Sequence, residues 1–380
     1  MIYIIFFLFS LGSLGRISFL GQQVNIYLYE IVYALYLCVL VAKHRTRPLS
    51  EHTNLYKYGG FFLLAAVTTF AVSAFSFSTQ QNSVAILYLA RLSAYILGFP
   101  YLLHHVKEKN MSGRVTRALL LYIILTTAAS IVQYFYYPNL RNLEYLGWDP
   151  HQYRMFGTVF DTSTAAALYG VVLLFLIVLG KKYLKPVIWV GSIVVFSVFG
   201  ALTYSRGFYL SFVVTLIYFL VIKHKRFMSA FYVLLIFGLL LIIIPKPVGE
   251  SANLGRMFTI QARAADYQKG IAIWNTNPVL GIGYNHLRYV KPGAGADTAN
   301  HAGASLSSSF LIILVTMGIV GLMGFVVLLY KLSATSQIAF YTLLFLSLFS
   351  LADNILLHPF ILFMETFIIA LGLSRVTSRT

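Results

Sequence analysis

The feature that most constrains this chain is a series of long apolar runs that recurs along its 380 residues. Each run approaches the ~20 residues that an α-helix needs to cross ~30 Å of hydrocarbon. Hydrophobic residues make up 59% of the chain and charged residues only 10%, whereas soluble domains carry about 25% charged residues. The charged residues are too few to form a water-exposed surface. The sequence therefore predicts an all-α polytopic protein that lies almost entirely in a bilayer.

The apolar runs predict about twelve transmembrane helices in a single integral membrane domain across residues 1–380. The predicted spans are Ile2 to Phe19, Val24 to Ala42, Tyr58 to Phe77, Val84 to Leu103, Ala118 to Tyr136, Val159 to Leu179, Val187 to Thr203, Phe208 to Ile222, Met228 to Ile244, Ser308 to Tyr330, Gln337 to Leu351 and Pro359 to Leu373. The first run lacks the flanks of a signal peptide, so we expect it to be retained. The single cysteine, Cys38, excludes a disulfide framework and a cysteine metal site.

The formal net charge of +17 falls mainly in alternate short connections. Basic clusters follow the second, fourth, sixth and eighth predicted spans, at residues 43–57, 107–117, 181–185 and 223–226. The positive-inside rule makes these loops cytoplasmic and places both termini inside. We therefore interpret the basic charge as a topology signal and not as a nucleic-acid surface. Five histidines fall on this cytoplasmic side: His44, His52, His104, His105 and His224.

Three connections on the predicted outer side carry more polar residues than a turn requires. They are Tyr137 to Gly157, the corner Tyr204 to Gly207, and the long loop 246–307. The long loop is predicted to contain a helix across Arg256 to Asn275, because its apolar residues recur at three-and-four spacing. We expect this helix to lie along the membrane interface or in a cavity among the spans.

Several cationic residues lie on the predicted outer side, although the positive-inside rule places most Lys and Arg on the cytoplasmic side. Clustered guanidinium groups suit an anionic ligand, because each offers a planar fork to phosphate oxygens and stays protonated. A lipid diphosphate is the obvious candidate beside a bilayer; headgroup contacts and loop-closing ion pairs are the alternatives. The outward cations are Arg141, Arg154, Arg206, Lys246, Arg256, Arg263, Lys269, Arg288 and Lys291.

His301 is the outward histidine best suited to chemistry, since small and hydroxyl residues surround it. A neutral imidazole, with a pKa of about 6.5, can take a proton from an attacking sugar hydroxyl. His151, His286 and His358 are weaker outward candidates.

Two charged residues, Arg91 and Asp161, fall in or near predicted spans. Charges in lipid are costly, so we expect both to face a cavity or to form ion pairs inside the protein. The carboxylates form no cluster typical of a metal site or of a glycosidase pair.

The outward motifs resemble the O-antigen ligase and polymerase superfamily of bacterial membrane enzymes. Tyr153 to Thr158 is similar to the R-x-x-G-T stretch of that superfamily, and Leu202 to Gly207 to its T-x-S-R-G corner. Arg263 to Tyr267, followed by Asn277 to Gly283, resembles its R-x-x-x-W and N/H-P-L-L-G-x-G pattern with tyrosine in the tryptophan place.

The span that closes the long loop, from Ser309 to Leu322, resembles the N-S-x-L to L-G-I-I-G-L stretch of the same superfamily. Many members have His-Asn immediately before this span, where this chain has Ser307 and Ser308. The resemblance therefore implies that His301, which lies earlier in the loop, has the role of the catalytic histidine.

The resemblance implies a glycosyltransferase that moves an oligosaccharide from polyprenyl (undecaprenyl) diphosphate to an acceptor hydroxyl. It implies that Arg206 and Arg263 grip the diphosphate while His301 deprotonates the acceptor. Such a displacement inverts the anomeric centre and needs no metal or other cofactor. The implied substrate-binding residues are Arg154, Arg256, Tyr204 and Tyr267.

The implied location is the outer face of a bacterial inner membrane, with the loop 246–307 carrying part of the site. The expected partners are the lipid-linked oligosaccharide, a glycan acceptor, the bilayer and other polysaccharide-assembly proteins, with no nucleic acid. We favour an O-antigen or exopolysaccharide polymerase. A ligase that acts on lipopolysaccharide core or on protein, a flippase for lipid-linked glycans, and a cell-wall glycosyltransferase with Asp297 as its acidic residue remain open.

Overall fold

The computed structural model describes residues 1–108, 110–146, 148, 151–225, 227–244, 258–291 and 305–376. This part of the chain is almost entirely helical. Its α-helices are, in chain order, α1 (Ile2–Ser10), α2 (Leu28–His44), α3 (Arg47–Glu51), α4 (Thr53–Ser73), α5 (Thr79–Lys107), α6 (Met111–Tyr136), α7 (Thr162–Val178), α8 (Pro186–Leu202), α9 (Arg206–Ile217), α10 (Phe227–Ile243), α11 (Phe258–Trp274), α12 (Leu287–Val290), α13 (Ser309–Ser333), α14 (Gln337–Phe349) and α15 (Pro359–Val376).

Within the described residues, five helices are long and apolar enough to cross a membrane: Thr53–Ser76, Thr79–Lys107, Met111–Tyr136, Arg206–Lys223 and Ser309–Ser333. Shorter apolar helices cover Thr162–Val178, Pro186–Leu202, Leu234–Ile243, Gln337–Phe349 and Pro359–Ser374. An all-α, multi-pass membrane protein is therefore confirmed as the class, while the number of twelve spans stays a prediction.

Each predicted span after the first contains a helix, and the predicted loop helix is α11. The second span begins too early, because Val24–Tyr27 form a strand and the helix starts at Leu28. The first span is wrong in its length, because α1 ends at Ser10 and the chain turns into a hairpin. Long-range contacts explain this end: Ser13 N donates to Thr158 O at 2.8 Å, and Ser13 Oγ donates to Val159 O at 2.6 Å. These bonds satisfy polar groups that the end of α1 would otherwise leave without partners.

The hairpin that follows α1 is the one sheet in the described part of the chain. Strand β1 (Arg16–Phe19) pairs antiparallel with β2 (Val24–Tyr27), with Arg16 opposite Tyr27. Glu30 in α2 and Arg91 in α5 then form a mostly buried ion pair, with 3.0 Å between Glu30 Oε1 and Arg91 Nε. Arg91 also donates to Asn25 O of β2. The predicted ion pair for Arg91 is therefore present, and it joins the hairpin to two helices.

Helix α13 breaks at Gly318, where φ is 63° and ψ is −165°. The loop residues 277–283, here called the inserted segment, fill the break. Backbone groups freed by the break pair with this segment through Ile282 N to Val315 O (3.0 Å), Gly283 N to Thr316 O (2.9 Å) and Ile319 N to Pro278 O (3.0 Å). Irregular backbone inside an apolar bundle is stable only where the protein supplies such hydrogen bonds.

The helices pack into one bundle around a core rich in aromatic side chains. In this bundle α13 packs on α4, α15 packs on α5, and α14 packs on α7 and α9. Helix α11 lies against α13 beside the inserted segment. The long loop is therefore anchored to the bundle through α11 and the inserted segment.

Candidate active site

A cavity of about 590 Å³ lies where the connections predicted to be outward meet. Its walls come from the β1–β2 hairpin, the first half of α5, Trp148, residues 151–164, the α8–α9 corner, α11, residues 284–291, residues 305–316 and residues 353–359. The cavity therefore gathers parts of the chain that are far apart in sequence.

Positive charge dominates the described lining of this cavity. Arginine side chains line it at six positions: Arg16, Arg91, Arg154, Arg206, Arg263 and Arg288. The lining carboxylates are three aspartates, Asp161, Asp266 and Asp353. A concave site with an excess of guanidinium groups has a strong positive electrostatic potential. This potential attracts anions and raises their local concentration.

Arg206 is the first residue of α9 and is partly buried at the cavity wall. The chain reverses from α8 to α9 at Tyr204, whose φ of 51° lies in the left-handed region. Ser205 caps the new helix, because its side chain accepts a hydrogen bond from Phe208 N at 3.4 Å. With almost no loop between the two helices, the backbone of Arg206 is held in a fixed position.

Arg154 supports this corner from the opposite side. Its side chain is only 4% exposed, and its Nε donates to Thr203 O at 2.8 Å. Next to it, Met155 N donates to Leu202 O at 3.0 Å. Arg154 thus lines the cavity and also holds the turn that begins α9.

Arg263 lies in α11 and forms an ion pair with Asp353, with 2.9 Å between Nη2 and Oδ2. Ser163 Oγ donates to the same carboxylate oxygen at 3.3 Å. Burial raises the pKa of Asp353 to about 6, and the neighbouring Asp161 adds to the rise, while Arg263 opposes it. Because a guanidinium has five N–H donors, the ion pair leaves Arg263 donors for a ligand.

Asp161 is the N-cap of α7, and its carboxylate accepts hydrogen bonds from Ser163 N and Thr164 N. Burial favours the neutral acid, but the hydrogen bonds from Thr164 and the nearby His151 outweigh it and lower the pKa of Asp161. The expected cavity position of Asp161 is observed. Its carboxylate caps α7 and fixes the start of this helix at the cavity wall.

A second polar cluster closes the ends of the loop that precedes α13. Lys291 Nζ lies 3.0 Å from Asp266 Oδ1 and donates to Ser305 O at 2.6 Å. Ser307 Oγ donates to Asp266 Oδ2 at 2.5 Å. Because Asp266 belongs to α11, both ends of the intervening segment are fixed to that helix beside the cavity.

The structure brings together Arg154, Arg206 and Arg263 among the residues predicted for the site. Tyr204 and Tyr267 do not line the cavity. The side chain of Tyr204 is 3% exposed, and burial raises the pKa of its hydroxyl to about 12. The Tyr267 hydroxyl donates to Leu351 O and joins α11 to the segment after α14.

Two predicted site residues, His301 and Arg256, lie outside the described residues. Conversely, Asp353, Arg16 and Asn354 line the cavity although sequence reasoning did not select them. A signal existed for Asp353, because it is an isolated acidic residue in an otherwise apolar stretch near the end of α14. Arg16 gave a similar signal as a cation inside the first apolar run.

Comparison with known families bears on the part of the chain that supplies Arg206 and Arg263. Residues 191–326 match the family model described as Wzy_C, O-antigen ligase. The match supports the O-antigen ligase and polymerase superfamily. It runs from α8 into α13 and includes the α8–α9 corner, α11 and the inserted segment. No curated protein matches the chain.

The superfamily match supports a function of the O-antigen ligase or polymerase type in general. It also supports an enzyme of the glycosyltransferase kind that works in a membrane on lipid-linked glycans. The motif Asn277 to Gly283 is the inserted segment itself, and the motif in the closing span contains Gly318, where α13 breaks. The two motifs are in direct contact, because Ile319 N donates to Pro278 O.

Proposed function

We propose that this protein transfers an oligosaccharide from a polyprenyl diphosphate to a hydroxyl of a second lipid-linked glycan, as a polymerase. The observation that supports this proposal most directly is the arginine-rich cavity that Arg206 and Arg263 line together. A sugar diphosphate is an anion of matching chemistry, and its lipid tail would stay in the bilayer beside the helices.

Arg206 and Arg263 act on the leaving group in the proposed reaction. As the bond between the anomeric carbon and the diphosphate oxygen breaks, its electron pair moves to the diphosphate. Guanidinium groups already fixed in place stabilise this developing charge without reorganisation, which lowers the barrier. Asp353 orients Arg263 through the 2.9 Å ion pair, and Arg154 holds the turn at Arg206.

His301 acts on the other reactant. Its imidazole takes the proton of the acceptor hydroxyl while the acceptor oxygen forms its bond to the anomeric carbon. The attack comes from the side opposite the diphosphate, so the anomeric configuration inverts. Ser305, close to His301 in sequence, lines the cavity, and Lys291 and Ser305 tie the two ends of that loop together. The energy comes from the activated donor, so the proposed step uses neither a metal nor a nucleotide.

The proposal is tested with purified protein in liposomes that contain a polyprenyl-diphosphate oligosaccharide. We expect release of polyprenyl diphosphate and growth of the glycan beyond one repeat. His301→Ala and Arg206→Ala should abolish release and keep the thermal stability of the wild-type protein. Arg141→Ala is the matched control, because Arg141 is an exposed outward arginine that does not line the cavity.

Full activity of both site variants would overturn the assigned site. Transfer of a single glycan to lipid A-core or to a protein, without elongation, would show a ligase instead of a polymerase. Movement of the intact donor across the bilayer without release of polyprenyl diphosphate would show a transporter and refute glycosyl transfer.

A further inference from the structure

A cluster of imidazole and carboxylate groups lies far from the cavity, at the other end of α5. Arg91 lines the cavity, and His104 follows thirteen residues later on the same helix, which is a distance of about 20 Å at 1.5 Å per residue. The cluster joins the end of α2, the short helix α3 and the end of α5. It lies on the side that the sequence predicts to be cytoplasmic, and the proposed glycosyl transfer does not use it.

Three side chains of this cluster converge on one point. His44, His104 and Glu108 each offer one ligand atom, and these atoms all lie within 4.8 Å of one another. His44 Nε2 lies 3.3 Å from Glu108 Oε1. Two ligand atoms on a tetrahedral zinc, with bonds of ~2.0–2.1 Å, are separated by about 3.4 Å. The His44–Glu108 pair therefore already has the separation of two ligands on one metal ion.

The contact between His44 and Glu108 is not an ordinary hydrogen bond. His44 Nε2 is buried and has no hydrogen-bond partner in the part of the chain that the structure describes. The His44 side chain is only 8% exposed, so water reaches it poorly. A buried imidazole nitrogen that faces a carboxylate without such a bond is suited to donate its lone pair to a cation.

His104 has the support that metal-bound histidines typically have. Its Nδ1 lies 2.7 Å from Glu51 Oε2, and this carboxylate can fix the ring orientation and keep the proton on Nδ1. The lone pair then lies on the other ring nitrogen, Nε2. A carboxylate behind a ligating histidine recurs in zinc sites and raises the basicity of the ligand.

One feature of the cluster opposes a cation. Lys43 Nζ lies 2.9 Å and 3.1 Å from the two oxygens of Glu108. This ammonium group would have to leave Glu108 before a metal could bind there. Because Lys43 is on the exposed side of the cluster, its side chain can move into solvent without disturbing the helices.

We propose that His44, His104 and Glu108 bind one divalent transition-metal ion of the zinc class, with Glu51 orienting His104. Two neutral imidazoles and one carboxylate form a ligand set that zinc commonly takes. The fourth position is open to water or to the neighbouring His105. The ion ties α2 to α5 at the end of the bundle opposite the cavity and takes no part in glycosyl transfer.

The test uses cobalt(II) as a spectroscopic probe on the full-length protein in detergent, purified through a tag that contains no histidine. We expect one tightly bound cobalt per chain, with the visible absorption of a four-coordinate site, and displacement by zinc. His44→Ala and His104→Ala should lose this absorption. His224→Ala is the matched control, because His224 is exposed and outside the cluster.

Two further variants separate ligation from a general effect on folding. Glu51→Gln should weaken binding about 10–100-fold while the absorption at saturation is retained, as for other residues behind metal ligands. Lys43→Ala should strengthen binding, because the competing ammonium group is gone. A misfolded protein cannot produce this gain.

Zinc should also raise the melting temperature of the wild-type protein and of Lys43→Ala, since a ligand that binds only the folded state stabilises it. It should leave that of His44→Ala unchanged. Absence of stoichiometric cobalt in the wild-type protein would overturn the proposal. Unchanged binding in both His44→Ala and His104→Ala, or weaker binding in Lys43→Ala, would overturn it as well. None of these measurements depends on glycosyl transfer, so the two proposals can fail separately.

Discussion

Replacing Gly318 with alanine should destabilise the protein where the inserted segment enters α13. Gly318 has a φ of 63° and a ψ of −165°, and a residue with a side chain in this nearly glycine-only region costs about 1–3 kcal/mol. The added Cβ would lie 2.1 Å from Val279 O. No side chain can tolerate this contact, so the inserted segment would have to withdraw from the break.

Withdrawal would weaken the hydrogen bonds that join the inserted segment to Val315, Thr316 and Ile319. Each such bond contributes about 0.5–1.5 kcal/mol net, and a buried group left without a partner costs about 1–3 kcal/mol. With the backbone term included and partial relaxation allowed, we expect a total loss of about 3–6 kcal/mol.

Thermal unfolding of the detergent-solubilised protein, followed by fluorescence-detected size-exclusion chromatography, measures this loss. Gly238→Ala is the matched control, because Gly238 is also in an apolar helix and nothing lies within 4 Å of an added Cβ. Hydrogen exchange should show faster exchange at Ile282 and Gly283 in the Gly318→Ala variant alone. Equal melting temperatures for the two variants would refute the conclusion that Gly318 is required for the inserted segment to fit into α13.

Three further predictions concern charged residues. Arg263→Lys should lower kcat about tenfold or more, because a point charge cannot reproduce a planar fork, and unchanged kinetics would make Arg263 a structural residue. Since the pKa of Asp353 is raised to about 6, the folded state binds more protons than the unfolded state between about pH 4 and 6. The melting temperature of the wild-type protein should therefore fall relative to Asp353→Asn as the pH rises through that range, and parallel profiles would contradict it. Glu30→Ala should cost about 3 kcal/mol by removing the carboxylate partner of the mostly buried Arg91, with partial recovery of the melting temperature in Glu30→Ala/Arg91→Met; no recovery would argue against the pair.

The helices of the bundle were predictable because the bilayer itself dictates long apolar runs, and α11 was predictable from its apolar spacing. The hairpin after α1 was not, because its cause lies far away in the sequence. Ser13 turns the chain through bonds to Thr158 and Val159. An apolar run gives no sign of such a distant partner.

The candidate site likewise contains residues that the sequence predicts and residues that it does not. Arg206 and Arg263 were predicted as site residues because cations on the outer side are exceptions to the positive-inside rule. Their positions within motifs of a known superfamily supported the same prediction. Asp353 was missed because its role depends on a contact with a helix ninety residues away in the chain. The same limit applies to Gly318: its motif is visible in the sequence, but its close contact with the inserted segment depends on residues far away in the chain.

The cavity draws its walls from both ends of the chain, from Arg16 to Pro359. Ribosomes add about 5–20 residues per second, so roughly 17–70 s separate the synthesis of these two residues. Until the last helix inserts, one side of the cavity is missing. A truncated chain that ends before residue 353 therefore lacks part of the cavity wall.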